Sequence, residues 1–221
     1  MKFTIRILEI WEFAIKTIKD FLVPENKKIE GILKMEAHTM RLLLPKSPIN
    51  SKNIFVLFDY RNKIVRLLVK AIKYKNNENI RKRIAQYLYE DMVDIFSDIA
   101  LFEGSAPIFM PMPMSKKEKT KKGFNQCEEL AREIKKIAGE NLEVRFDALK
   151  KVRETERQTN LDKKAREENV KKCMEADQSV VKGKIVAVLD DVYTTGSTMF
   201  ESRRALKLAG AKRIINLFIA H

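Results

Sequence analysis

The sequence contains little cysteine and histidine, and this shortage excludes two kinds of site. Its two cysteines, Cys127 and Cys173, lie too far apart for a disulfide framework, and two are too few for a four-cysteine zinc site. The two histidines, His38 and His221, form no pair at metal-ligand spacing. We therefore expect no zinc, and we expect a protein of a reducing compartment, the cytoplasm.

Long uninterrupted apolar runs are also missing. The N-terminal segment is rich in Ile, Leu and Phe, but Arg6, Glu9 and Lys16 are among the charges that interrupt it too often for a transmembrane helix. No signal-peptide cleavage pattern follows it. Its apolar residues from Ile7 to Ile18 have helical spacing, which predicts an amphipathic helix that packs on its own domain. Binding to a membrane surface is the alternative.

Acidic residues are outnumbered by basic ones. The chain has 30 Asp and Glu against 44 Lys and Arg, a formal net charge of +14. A surplus of this size predicts a positive surface potential and anionic partners. Nucleic acid, phosphorylated small molecules and acidic membrane surfaces are all candidates, as is a Lys-rich surface without a dedicated target.

The pattern of the sequence divides the chain at about residue 52. Pro24, Pro45 and Pro48 interrupt residues 1–52, which we interpret as a helical N-terminal appendage followed by a linker. Residues 53–221 alternate strand and helix patterns, as one α/β domain does. The predicted strands are 54–58, 106–114, 142–149, 184–191 and 213–220, and the predicted helices are 62–74, 78–102, 126–138 and 197–208.

This order of elements predicts an α/β fold with a parallel twisted sheet, right-handed crossovers and helices on both faces. One segment does not fit into the alternation. Between residues 150 and 178 almost every residue is polar or charged, so the segment is either a functional loop or disordered.

A pair of adjacent acids follows the apolar run at 185–189. Such a run predicts a central parallel strand that is covered on both faces, and ligands of these folds collect outside the carboxyl ends of the strands. Asp190 and Asp191 are therefore predicted at a ligand site. Two acids in series can accept hydrogen bonds from a vicinal diol or hold a hydrated Mg²⁺ beside it.

Small hydroxyl residues around one glycine come next, where a helix begins: Thr194, Thr195, Gly196, Ser197 and Thr198. Backbone N–H groups, hydroxyls and the helix N-terminus can surround a phosphate, and glycine allows close approach. An acid pair beside this cradle predicts a ribose 5-phosphate site. The alternative is that Ser197 or Thr198 merely caps the helix. The other phosphate motifs, GxxxxGK[ST] and GxGxxG after a strand, are missing.

The run LDDVYTTGST at 189–198 resembles the phosphoribosyl pyrophosphate signature of type I phosphoribosyltransferases. Two further stretches, LVKAIKYKNN at 68–77 and PMPMSKKEKTKKGFNQCEELA at 111–131, resemble the ComF-type (GntX-like) branch of that family, which includes competence-associated proteins. So does the spaced pattern of Arg153, Thr155, Gln158, Leu161, Arg166 and Asn169. With the tail AGAKRIINLFIAH, the resemblance covers about residues 55–221.

The resemblance implies a sheet of the type I phosphoribosyltransferase kind and a role for each part of the motifs. Asp190 and Asp191 would face the ribose hydroxyls, and residues 194–198 would hold the 5-phosphate. The turn at Met112 and Pro113 would lie on the pyrophosphate side, and residues 154–169 would match a loop that closes over the site.

The reaction that the resemblance implies is displacement of pyrophosphate from the anomeric carbon by a nucleophile, with Mg²⁺ as the cofactor that accompanies phosphoribosyl pyrophosphate. Basic side chains would stabilise the leaving group. The candidate catalytic residues are Arg153, Arg157 and Arg166, and the alternative is that these are solvated loop charges.

One part of the family pattern is missing. Members of this branch usually carry an N-terminal zinc ribbon with paired CxxC motifs, and this chain has ENKKIEGILKMEAH after Pro24 instead. That segment offers no thiolates, so the resemblance does not extend to a structural zinc.

Five lysines and an aromatic residue lie in a short predicted surface loop: Lys116, Lys117, Lys119, Lys121, Lys122 and Phe124. Such a loop suits single-stranded nucleic acid, because lysines pair with phosphates while a base stacks on the ring. Pyrophosphate binding and a plain solvated loop are the alternatives.

Two functions follow from these observations. The first is an enzyme that binds phosphoribosyl pyrophosphate and transfers its phosphoribosyl group to an unidentified acceptor. The second is a non-catalytic protein of the same fold that handles single-stranded DNA, together with DNA-uptake proteins, in natural competence.

Overall fold

The computed structural model describes residues 25–154 and 172–221, so the predicted amphipathic helix near the N-terminus lies outside the described residues. The chain divides into two compact units, Met1–Met40 and Arg41–His221. The division into an appendage at 1–52 and a domain at 53–221 stays a prediction. No helix within the two described ranges is long and apolar enough to cross a bilayer.

The elements lie in the following order along the chain. The helices are α1 (Glu25–Lys34), α2 (Ala37–Leu43), α3 (Lys63–Lys75), α4 (Glu78–Glu103), α5 (Lys116–Lys122), α6 (Gln126–Ala138), α7 (Gln178–Val181) and α8 (Ser197–Leu208). The strands are β1 (Asn50–Ser51), β2 (Ile54–Phe58), β3 (Ile108–Pro111), β4 (Leu149–Lys151), β5 (Met174–Ala176), β6 (Ile185–Val192) and β7 (Arg213–Ala220).

The main sheet has the strand order β1-β2-β7-β6-β3, in which β1 is antiparallel to β2 and the other neighbours are parallel. Strand β6 lies between β7 and β3, and its residues Ile185 to Leu189 are fully buried, as expected for an apolar central strand. Because parallel strands end at the same edge, the residues that follow β2, β3, β6 and β7 collect there.

Helices cover both faces of this sheet. On one face α4 packs against α6, and α6 contacts β3 and β6. On the other face α8 contacts β7 and the small antiparallel sheet of β4 and β5, where Val186 and Val188 of β6 join the same apolar cluster as Ala205 and Leu206 of α8. The predicted class, α/β with a parallel sheet and helices on both faces, is confirmed.

The junction between α3 and α4 is set by asparagines. Asn76 ends α3 in the left-handed conformation (φ 46°), and the side chain of Asn77 accepts the Ile80 N–H at 3.0 Å as the cap of α4. The buried residues of α3, among them Leu68 and Ile72, lie on one face of the helix. This arrangement directs the end of α3, including Lys73, toward the carboxyl edge of the sheet.

The predicted strand at 142–149 is wrong. Only Val144 forms a bridge, a parallel one to Phe109 at the edge of the sheet, and Leu149 already belongs to β4. The alternating pattern arises because Leu142 is buried and Phe146 is partly covered by the Arg132 guanidinium, 4.6 Å from its ring centroid. Alternating burial in an irregular segment gives the same period as a strand.

The predicted surface loop after β3 is also wrong, because residues 116–122 form α5. Ser115 and Glu118 form a reciprocal capping box at its start, and Gly123 ends it with φ 86°. The helix has no buried residue, so it carries no apolar period for a sequence pattern to reveal. The polar stretch at 150–178 likewise contains β5, and its central residues 155–171 lie outside the described part of the chain.

Candidate functional site

The acid pair lies at the carboxyl edge of the sheet, just before β6 ends at Val192. The Asp191 residue is buried at 6% exposure, and Asp190 is half-buried. The turn after β3 lies directly beside the pair, since the Met112 N–H donates to the Leu189 carbonyl at 2.7 Å. Strand pairing therefore brings the turn at Met112 and Pro113 next to the two acids, and its position on the pyrophosphate side of a ligand stays a prediction.

The Asp191 carboxylate is held from two helices. Lys73 Nζ, near the end of α3, lies 3.1 Å from Oδ2 and 3.4 Å from Oδ1. Gln126 Nε2, in the first turn of α6, donates to Oδ2 at 2.7 Å. The two ComF-like stretches at 68–77 and 111–131 thus meet at the acid pair. Neither Lys73 nor Gln126 was a predicted site residue.

The Asp190 carboxylate has weaker partners. Its Oδ1 accepts the Asp191 backbone N–H at 2.8 Å and lies 3.8 Å from the Cys127 thiol. Burial, together with the neighbouring Asp191 carboxylate, raises the pKa of Asp190 to about 7. Burial beside the same acids also raises the pKa of the Cys127 thiol well above its usual value. Asp190 therefore changes protonation near neutral pH while Cys127 stays a neutral thiol.

Two lysines lie near the acid pair, and their pKa values shift in opposite directions. Burial acts to lower the pKa of Lys73, but the attraction of Asp191 outweighs it, so its pKa is raised and the ammonium is retained. Burial lowers the pKa of Lys122, against the attraction of Asp191. Lys122 Nζ contacts Gln126 Oε1 and lies 4.6 Å from the centroid of the Phe124 ring. A chain of polar contacts therefore runs from Lys122 through Gln126 to Asp191.

Asn125 fixes the start of α6 against the turn after β3. Its side-chain oxygen accepts the N–H groups of Cys127 at 2.9 Å and Glu128 at 3.4 Å, which caps the helix. Its amide nitrogen donates to the Met112 carbonyl at 3.0 Å. One side chain thus positions Gln126 and Cys127 beside the acids and holds the predicted pyrophosphate turn in place.

Helix α8 begins at the predicted anion cradle. Its cap position is Gly196, with φ 78°, a residue that has no side chain with which to cap the helix. The first N–H groups of a helix have no intrahelical acceptor. The Thr195 and Ser197 hydroxyls lie 2.9 Å apart beside them. The interpretation that Ser197 or Thr198 caps α8 is wrong, since both are helical residues that follow the cap.

Gly196 is required by its surroundings as well as by its φ. A Cβ atom at this position would lie 3.1 Å from both Phe200 Cε2 and Tyr193 Cε2. The positive φ adds strain for any residue with a side chain. A residue with a side chain is therefore disfavoured at position 196 both by the backbone conformation and by the two neighbouring rings.

The lysines of α5 are divided among different contacts. Lys119 Nζ pairs with Glu128 at 2.7 Å, and Lys122 lies beside Gln126 as described above. Lys116, Lys117 and Lys121 are exposed. The hypothesis of one continuous basic loop is therefore corrected to a helix on which Lys119 and Lys122 contact other side chains and three further lysines are exposed. The Phe124 ring is partly covered by Lys122.

Of the three candidate arginines, Arg153 is described, whereas Arg157 and Arg166 lie outside the described residues. The Arg153 side chain is exposed and its NH1 lies 3.5 Å from the Glu154 carbonyl. The Glu154 carboxylate accepts the Ser115 hydroxyl at 2.6 Å and the Lys117 N–H at 3.2 Å. A catalytic role for the three arginines stays a prediction.

The residues at the acid pair fit a Mg²⁺ ion only together with a phosphate ligand. Among the residues that the structure describes, no three His, Cys, Asp or Glu side chains converge to hold a metal. Asp191 is occupied by Lys73 and Gln126, which leaves Asp190 as the carboxylate with free coordination capacity. One carboxylate with phosphate oxygens is a donor set that Mg²⁺ commonly takes.

Comparisons with known proteins agree with the resemblance. No protein-family model matches the chain. It is 28% identical over 151 residues to Competence protein F of Haemophilus influenzae, and this alignment covers 67% of the chain and 64% of that protein. The chain thus spans just under two thirds of the length of this curated relative. The predicted resemblance to ComF-like proteins is confirmed by this similarity.

The chain is also similar to the solved structure of a protein described as "the allosteric regulatory enzyme of purine biosynthesis". The superposition has a TM-score of 0.39 and 17% sequence identity. It covers 68% of this chain and 30% of that one.

Proposed function

We propose that the chain binds phosphoribosyl pyrophosphate through its ribose 5-phosphate group at the carboxyl edge of β6. The observation that carries the proposal is the juxtaposition of an acid pair with a helix N-terminus whose cap residue is glycine. Asp190 and Asp191 lie near the end of β6, and α8 begins at Ser197 after a glycine with φ 78°. The first can bind a diol and the second an anion, and ribose 5-phosphate presents both.

Each part of the ligand has a candidate partner on the chain. The 5-phosphate would accept hydrogen bonds from the first N–H groups of α8 and from the hydroxyls of Thr194, Thr195, Ser197 and Thr198. The ribose hydroxyls would donate to Asp190. The pyrophosphate would lie toward Met112 and Pro113, and a bound Mg²⁺ would neutralise its charge.

The same geometry supports a transfer reaction. The bond between the anomeric carbon and pyrophosphate oxygen breaks, and pyrophosphate leaves with the electron pair while a nucleophilic acceptor forms the new bond. The chain's contribution would be to hold ribose and phosphate in place and to present positive charge to the leaving group. Lys122, which contacts Gln126 beside Asp191, is a candidate for this task, as are Arg153, Arg157 and Arg166.

A thermal-shift panel tests the ligand class. Phosphoribosyl pyrophosphate with Mg²⁺ at one hundred times its Kd should raise the melting temperature by about 5–10 °C. Ribose 5-phosphate should give a smaller shift and ribose none, because only the former occupies the cradle. An equal shift with pyrophosphate alone would contradict the proposal, since it would indicate a general anion patch.

A second candidate function is the handling of single-stranded DNA in natural competence. It is supported by the net charge of +14 and by the three exposed lysines of α5, which follows the turn beside the acid pair. Similarity to a protein named for competence favours it further. DNA-uptake proteins would then be partners, and the two free buried cysteines agree with a cytoplasmic location.

A further inference from the structure

The contacts of Asp191 leave little of its carboxylate for a ligand. Its side chain is 8% exposed, and three contacts from two residues occupy its oxygens: Lys73 on both and Gln126 on Oδ2. A carboxylate has about four lone-pair sites, and these three contacts occupy most of them. Asp191 is therefore part of the protein's own ion pair, whereas the half-buried Asp190 carboxylate contacts the Asp191 N–H and, at 3.8 Å, the Cys127 thiol.

Lys73 supplies the positive charge of this pair. It belongs to α3, 118 residues away in sequence, and its ammonium reaches a buried carboxylate that would otherwise be unpaired. Two adjacent ionised acids without a counter-ion would form a strong site for a divalent cation. Together with the Lys73 ammonium, the two acids carry at most one net negative charge.

Lys122 does not take over this function. Its ammonium contacts the amide oxygen of Gln126 and lies above the Phe124 ring, and repulsion from Lys73 lowers its pKa in addition to burial. Gln126 separates the two ammonium groups, since its nitrogen donates to Asp191 and its oxygen accepts from Lys122. The cation next to Asp191 is Lys73.

We propose that Lys73 is a built-in counter-cation that closes Asp191 to divalent metal, so that the acid pair holds Mg²⁺ only when a phosphate ligand brings further oxygens. Lys73 is a positioning residue, because it pairs with Asp191 and leaves Asp190 as the acid that contacts the ligand. The part of the statement that concerns the phosphate ligand rests on the proposed function, and the part that concerns the bare metal does not.

The test is Mn²⁺ binding without any phosphate ligand, measured by electron paramagnetic resonance of the free ion. Wild type and Lys73→Arg should show no site at the acid pair, because both keep the ammonium or guanidinium charge. Lys73→Met should gain one site that binds Mn²⁺ at least tenfold more tightly than wild type. Lys207→Met, which removes an exposed lysine of α8, is the control for net charge and should gain nothing.

The double variant Lys73→Met with Asp191→Asn assigns the new site to the pair. It should lose the Mn²⁺ site, and it should fold even if Lys73→Met alone does not, because no unpaired charge is left inside.

Two results would overturn the inference. One is bare Mn²⁺ binding by wild type at the acid pair, as shown by its loss in Asp190→Asn. The other is a Lys73→Met variant that folds but gains no Mn²⁺ site. A wild type that binds no phosphoribosyl pyrophosphate would instead overturn the proposed function, and the Mn²⁺ measurements would still decide the role of Lys73.

Discussion

The side chain of Asn125 donates a hydrogen bond of 3.0 Å to the carbonyl of Met112 while its oxygen caps α6. This residue is buried, and it joins the helix that carries Gln126 and Cys127 to the turn beside the acid pair. The orientation of the site therefore depends on a polar contact within the fold as well as on the strand that carries the acids.

Replacing Asn125 with alanine should destabilise the domain and weaken the site together. The change removes a helix cap and leaves the buried Met112 carbonyl without its donor, so the unfolding free energy should fall by about 1–3 kcal/mol. Urea denaturation measures this loss. Asn125→Asp keeps an oxygen that caps α6 but has no N–H to donate to the Met112 carbonyl. Its loss of ligand-binding free energy should therefore exceed its loss of unfolding free energy. Equal losses of the two would contradict the role assigned to the contact with Met112.

Replacing Gly196 with alanine should cost more stability and ligand affinity than the strain of its positive φ alone would cause. The left-handed φ costs about 1–2 kcal/mol for a residue with a Cβ, and here that atom would also meet two aromatic rings at 3.1 Å. Gly104→Ala is a matched control, because Gly104 has φ 75° and nothing within 4 Å of the Cβ position. Urea denaturation and ligand titration of both variants should show a larger loss of stability and of affinity at Gly196, and equal losses would argue against a crowded cradle.

The protonation of Asp190 should make the stability of the fold depend on pH. Its pKa of about 7 lies above the ordinary value of 3.8, so its contribution is fully present below about pH 4 and is lost as pH rises through 7. The unfolding free energy of wild type relative to Asp190→Asn should fall by on the order of 2 kcal/mol between pH 5 and pH 8. Asp98→Asn, at an exposed position of α4, should show no such trend against wild type.

The exposed lysines of α5 should determine the salt dependence of DNA binding, if the chain binds single strands. Changing Lys116, Lys117 and Lys121 to alanine should make the slope of log affinity against log salt less steep by about 2, since each phosphate contact on a single strand contributes about −0.7 to it. Alanine at Lys182, Lys184 and Lys207, which are also exposed, removes the same charge elsewhere. Identical slopes for the two triple variants would exclude α5 as a DNA contact.

The sequence predicted those elements whose apolar pattern is strong. Strands β2, β6 and β7 and helices α3, α4 and α8 lie within a few residues of their predicted bounds, because buried runs and helical periods identify them. Helix α5 was missed because it is polar on all sides and is stabilised by a capping box and a glycine. The segment at 142–149 was mistaken for a strand because its irregular backbone buries alternate residues, which gives the two-residue period of a strand.

The acid pair and the cradle could be located from sequence because they lie within nine consecutive residues at a strand end. The partners of Asp191 could not, because Lys73 is 118 positions away and its lysine-rich helix offers several candidates. In the structure Lys63, Lys70 and Lys75 of this helix are exposed, whereas Lys73 is partly buried and contacts Asp191. The resemblance at 68–77 marked this helix but assigned no role to any residue in it.

The central claim is that Asp190 and the cradle bind the ribose 5-phosphate group of phosphoribosyl pyrophosphate, and isothermal titration calorimetry tests it most directly. Wild type and the exposed-site control Asp98→Asn should each bind one phosphoribosyl pyrophosphate in the presence of Mg²⁺. Asp190→Asn should bind at least tenfold more weakly, because the carboxylate that accepts the ribose hydroxyls is gone. Equal affinities for Asp190→Asn and wild type would contradict the account.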